Sequence, residues 1–242
     1  MRLLPAVLCL LAWTSAPARA DVITLHPMRD NTLFQDANGD TSNGAGPVLF
    51  AGNNGQGLAR RALLRFDVAD AVPPDAVIDS VVLTLRVSNA PNPIARGFTL
   101  HRMLRDWGEA SSYTTGGAGA PAADGDATWR YAFYPTQPWS MPGGDIDAVP
   151  SAALALGGPG VYAWRGADLA ADVRAWRSKP ATNHGWLLRG EESEVNTARR
   201  FESRETVEPA DRPALTIHYQ GVSRLRSVAW GAVKAHYRRG EP

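Results

Sequence analysis

The chain reads as an all-β protein, a sandwich or a barrel, and two observations predict it. Short apolar runs rich in Val, Leu, Phe and Thr recur along the 242 residues, and clusters of Gly, Pro, Asn and Asp separate them. That is the pattern of short strands joined by tight turns. The longest runs also alternate at period two, the spacing that sends successive side chains to opposite faces of a sheet.

Taken in order, strands are expected at residues 22–26, 32–35, 48–52, 61–68, 77–87, 97–104, 161–164, 185–190, 198–204 and 214–219. Within 61–68, Ala62, Leu64 and Phe66 face one way, with Arg61, Leu63, Arg65 and Asp67 facing the other. Within 77–87, Val81, Leu83, Leu85 and Val87 alternate with Val82, Thr84 and Arg86, so one face is apolar and the other mixed. One short helix is expected at 168–178, where Leu169, Val173 and Trp176 recur at helical spacing and Asp168 can cap the start. Lys179-Pro180 ends it. Residues 108–160 hold few alternations and many Gly, Pro and Ala, which reads as a long loop with one or two short strands. A loop of that length inside a compact domain is functional or partly disordered.

Both ends of the chain differ from this body. Arg2, an apolar run over 3–13 and Ala18-Arg19-Ala20 before Asp21 have the form of a secretory signal peptide cleaved after Ala20. The run falls short of the roughly 20 residues a membrane span requires. After Tyr219, Leu225, Val228, Ala229, Ala232, Val233 and Tyr237 fall at helical spacing among Arg224, Arg226, Lys234, Arg238 and Arg239. This predicts a basic amphipathic helix, solvated, packed on the domain, or in peripheral contact with an anionic surface such as lipid. The expected organisation is a signal peptide over 1–20, a β-sandwich domain over 21–220 and the basic tail over 221–242. The product is expected to be secreted, periplasmic or at the cell surface.

Cys9 is the single cysteine, and cleavage discards it. The mature domain then has no disulfide, thiol nucleophile or thiolate metal site, so its stability comes from a core. The whole chain carries a formal charge of +1; the leader accounts for +2 and the tail for +4, which leaves residues 21–220 at −5. An acidic body argues against nucleic acid as a partner, because phosphate binding needs a basic face. It suits neutral ligands or cations.

Catalytic motifs are sparse. No G-x-S-x-G turn, S-x-x-K pair, H-E-x-x-H helix or phosphate-binding loop occurs, and the only lysines are Lys179 and Lys234. Carboxylates could still cleave a polysaccharide, and Asp106 and Glu109 in Asp106-Trp107-Gly108-Glu109 are the candidates. The cluster Glu191, Glu192 and Glu194 reads as a solvated turn. Asp36, Asn38 and Asp40 alternate as oxygen ligands do in calcium loops. Thr41 and Pro47 break that pattern, so a turn capped by Asx hydrogen bonds competes with a structural calcium ion in a non-helical loop, helped by Asp30 or Asn43. Among the aromatics, Trp129, Tyr131 and Phe133 at period two are expected to face a core. Tyr134 and Trp139, flanked by Pro135, Pro138 and Pro142, are the expected exposed pair on which a sugar ring could stack.

Several segments together resemble the DNRLRE-domain family of secreted modules, related to archaeal disaggregatases and carbohydrate-binding modules. They are Arg60-Arg61-Ala62-Leu63-Leu64-Arg65-Phe66-Asp67, the stretch 73–85, Leu100-His101-Arg102 leading to Asp106-Trp107-Gly108-Glu109, and Ala127-Thr128-Trp129. Further on come Asp172-Val173 with Trp176, Asn183-His184-Gly185-Trp186-Leu187-Leu188, residues 198–205 and Pro213-Ala214-Leu215-Thr216-Ile217. The resemblance covers nearly all of residues 21–219. It departs at Phe201-Glu202, before Ser203-Arg204-Glu205, and in the long 108–160 insertion. It implies a β-sandwich of jelly-roll type and, as in some members, binding of polysaccharide or service as a cell-envelope module without catalysis. Arg204 and Glu205 are expected to form a structural charge pair on a late strand, and Trp107 and Trp186 to anchor the core.

Overall fold

The computed structural model describes residues 19–221. The expected tail helix and all but Arg19 and Ala20 of the expected leader lie outside the described residues. In order, the strands are β1 (Arg19–Leu25), β2 (Arg29–Phe34), β3 (Thr41–Ser42), β4 (Val48–Asn53), β5 (Ala59–Arg65), β6 (Val77–Asn89), β7 (Arg96–Arg102) and β8 (Ala120–Pro121). They continue with β9 (Tyr131–Phe133), β10 (Gln137–Pro138), β11 (Ala152–Leu156), β12 (Gly160–Arg165), β13 (Trp186–Arg189), β14 (Arg199–Glu202) and β15 (Ala214–Gly221). One helix, α1 (Ala167–Ser178), lies between β12 and β13. The described residues form an all-β, jelly-roll-like sandwich with one short α-helix, as the alternating runs predict.

The long strand β6 is the spine of the first sheet. Leu83 stands opposite both Leu215 and Trp164, and Val87 opposite both Phe201 and Gly160. β15 and β14 therefore share one edge of β6 and β12 takes the other, with β1 beyond β15 and β4 beyond β14. The second sheet runs β2-β5-β13-β7-β11, antiparallel throughout. The β4–β5 hairpin joins the two, because Gly52 and Asn53 pair with Arg60 and Ala59. Gly52 makes that corner with φ +103, and a Cβ there would stand 2.9 Å from the Ala198 backbone. In β6 the alternation changes phase: His218 faces Ser80 while Tyr219 faces Ile78, so Asp79 bulges out. Ile78 and Val81 are thereby both buried, three residues apart.

Between the sheets Leu83, Leu85, Val87, Phe201, Leu215 and Ile217 meet Ala62, Leu64, Phe98, Leu100, Trp186 and Leu188. Leu169, Ala170, Val173 and Trp176 of α1 close this core. The Trp176 and Trp186 rings lie 4.4 Å apart. The helix starts from Gly166 without a side-chain cap, so Asp168 does not cap it; it stands in the first turn, where its charge favours the helix dipole.

The 108–160 stretch is a third layer, not an open loop. It contains β8, β9 and β10 before running into β11 at the edge of the second sheet, and it carries Ala127, Ala132 and Trp139 onto Leu33, Leu63 and Leu187 on that sheet's outer face. Met103 and Trp107 complete this second core. A sheet covered on both faces explains why Leu63 and Leu64, or Leu187 and Leu188, are adjacent in sequence and both buried.

Candidate functional site

The residues expected to touch a ligand are mostly structural. Trp139 is only 5% exposed, and its indole N–H donates to Thr128 O at 2.9 Å. It is a core residue and not an exposed sugar platform, because the third layer needs a large apolar side chain over Leu63 and Leu187. Tyr134 is half-buried, edge-on to Tyr131 with ring centres 5.5 Å apart. Trp129, Tyr131 and Phe133 are half-buried too; Trp129 and Phe133 pack against the second core as expected, and Ala132 is the fully buried residue of β9.

The Asp36 turn is closed by its own donors. Asp36 Oδ1 accepts the N–H groups of Asn38 and Gly39, and Oδ2 accepts the Thr41 hydroxyl. Asn38 and Asp40 flank an Asx-capped turn, and both Asp36 oxygens are already engaged there.

The acidic candidates are bound into ion pairs. Asp106 receives Arg29 at 2.6 Å and Arg65 at 2.9 Å. Glu109, with its side chain 7% exposed, accepts Arg204 Nε at 2.9 Å and Nη2 at 3.2 Å, and also Asp30 N–H at 3.0 Å. Burial raises the Glu109 carboxyl above its ordinary range, against the opposing pull of Arg204. Glu192 is not solvated: Arg61 grips both its oxygens at 2.8 Å, and Arg189 adds a contact at 3.0 Å. Arg204 and Glu205 do pair, at 2.7 Å, but in the turn after β14 and not on a strand.

One cleft, of about 340 Å³, lies beside β4 and β14. Phe50, Asn53, Asn54, Asn89, Asn196 and Arg200 line it, with Arg60, Arg199 and the 115–117 turn. Arg60 and Arg199 are struts: Arg60 donates to the carbonyls of Gly117, Gln35 and Ala59, and Arg199 to those of Gly157, Thr197 and Ile94. Burial lowers the pKa of both guanidinium groups. Arg200 is half-buried, with Nε on Ser88 Oγ at 2.9 Å, and Asn89 is exposed at the end of β6. Asn53 donates through Nδ2 to Glu192 O at 2.7 Å, while its buried Oδ1 has no partner. Asn196 holds φ 58, an uncommon left-handed backbone that Asn tolerates better than most residues.

Chemically, this lining offers amide donors and acceptors beside one phenyl ring, and no carboxylate. Sequence reasoning missed it because its residues come from four separate turns and strand ends. Asn53-Asn54-Gly55 and Glu194-Val195-Asn196 each carry only a turn signal. No family model and no curated protein matches this chain.

Proposed function

We propose that this chain is a non-catalytic carbohydrate-binding module of the cell envelope or exterior, taking its glycan in the cleft beside β4 and β14. The observation that carries the reading is the lining: planar amides and an arginine around Phe50, with Asn89 exposed and Arg200 half-buried at its edge. Polyhydroxylated rings are recognised by such bidirectional donors and acceptors together with an apolar face. The volume lies at the lower end of ligand sites, which run from about 300 to 1,000 Å³. A short stretch of a sugar chain suits it.

The resemblance to DNRLRE modules supports the same reading, and the leader and basic tail read from the sequence supply export and an envelope contact. Polysaccharide cleavage by Asp106 and Glu109 is the weaker reading, since guanidinium groups hold both carboxylates and neither lines the cleft. A glycan array followed by titration calorimetry tests the proposal. Arg200→Ala and Asn89→Ala are expected to weaken the best hit at least tenfold with little change in melting temperature. A folded wild-type protein silent across a broad array would sink it.

A further inference from the structure

We propose that Asp30, Glu109 and Glu205 bind one divalent cation of the calcium class, clamping β2, the first turn of the third layer and the turn after β14. The three side chains bring carboxylate oxygens within 4.8 Å of one another. Oxygens that share one calcium ion at about 2.3–2.6 Å can adopt that spacing. The segments are far apart in the chain, so the convergence is a product of the fold and not of local sequence.

A second observation points to a ligand. Asp30 is wholly buried, and its Oδ1 has no hydrogen-bond partner, while Oδ2 takes the Arg204 N–H at 2.8 Å. Buried polar atoms are nearly always satisfied, and an ionised oxygen is the most costly to leave alone. The other two carboxylates keep coordinating capacity. Glu205 spends one oxygen on Arg204 and the other on Ser203 Oγ at 3.1 Å, and each oxygen has a second lone pair.

Charge sets the valence. Three carboxylates against the Arg204 guanidinium leave two negative charges in a largely buried place, and a divalent cation cancels both. The donors are all oxygen, which selects a hard cation. Their uneven arrangement, with a guanidinium on one side, suits calcium's flexible coordination better than the near-ideal octahedron at about 2.0–2.1 Å that magnesium demands. The site is separate from both the glycan cleft and the Asp36 turn.

Calorimetric titration of calcium chloride into the chelator-stripped full chain, paired with thermal melting, tests the site. One calcium per chain and a raised melting midpoint are expected, with Asp30→Asn and Glu205→Gln each weakening affinity at least tenfold and Asp36→Asn leaving it unchanged. Asp30→Asn should melt no lower than the wild type when both are calcium-free, because it removes an uncompensated buried charge. If that variant fails to fold, Glu205→Gln, nearer the surface, carries the test. No heat and no shift with a folded wild type at millimolar calcium overturns the proposal, as does wild-type affinity in Glu205→Gln or loss of binding in Asp36→Asn.

Discussion

Asp172 of α1 is 8% exposed, and its Oδ2 accepts both Ser151 Oγ at 2.5 Å and Trp186 Nε1 at 2.8 Å. Removing it strands two buried donors, each worth about 1–3 kcal/mol when left unpaired. Asp172→Ala is therefore expected to cost about 3 kcal/mol in urea unfolding, and Asp172→Asn less, since an amide oxygen still accepts. Trp139→Ala is expected to cost about 3–5 kcal/mol as a core truncation. Glycan affinity of the fraction that remains folded should not change; a selective loss of binding at full stability would return Trp139 to the ligand. His184 gives the pH dependence. Burial pushes its imidazole below the ordinary value of 6.5, helped by Arg65 and Arg29 and opposed by Asp106. The unfolded chain then takes the proton first, so this contribution is fully present above about 6.5 and is lost as pH falls through the lower folded value. His184→Gln should flatten the fall in urea midpoint between about pH 7 and pH 5. An unchanged slope would show that another group controls it.

At the scale of elements, the third layer depends on a close crossing of two backbones. Gly108 donates to Ala132 O at 2.9 Å and accepts from Ala127 N at 2.8 Å, and a Cβ on it would stand 1.7 Å from Gly125 O. Gly108→Ala is expected to part this crossing, which limited proteolysis would detect as new cuts within residues 110–143 while the two sheets stay protected. Strands such as β5 and β6 were legible in the sequence because their two faces differ in polarity over seven or more residues. The third layer was not: β8, β9 and β10 are two or three residues long, too short for a period to register. Ala152–Leu156 alternates only Ala with Leu, which gives little contrast between faces. The carboxylate cluster was half legible. Glu109, Arg204 and Glu205 stood out as charged residues beside aromatic or apolar runs, and Asp30 stood out only as a helper to the Asp36 turn, because nothing local joins residues 79 and more positions apart.

For the molecule as a whole, the sandwich places its described chain ends and its cleft at opposite ends of one strand. Gln220 pairs with Val77 at the start of β6, and Gly221 with Arg19 on the neighbouring strand. Asn89, the last residue of β6, lines the cleft. Twelve steps at about 3.3 Å separate them by about 40 Å. A partner fused after residue 221 should therefore leave glycan affinity intact, whereas a few residues inserted in the 115–117 turn should abolish it. A fusion that blocks binding would contradict this layout. The bulged spine of the first sheet thus sets a spacing: anything joined beyond Gly221 meets the domain a strand's length away from the cleft.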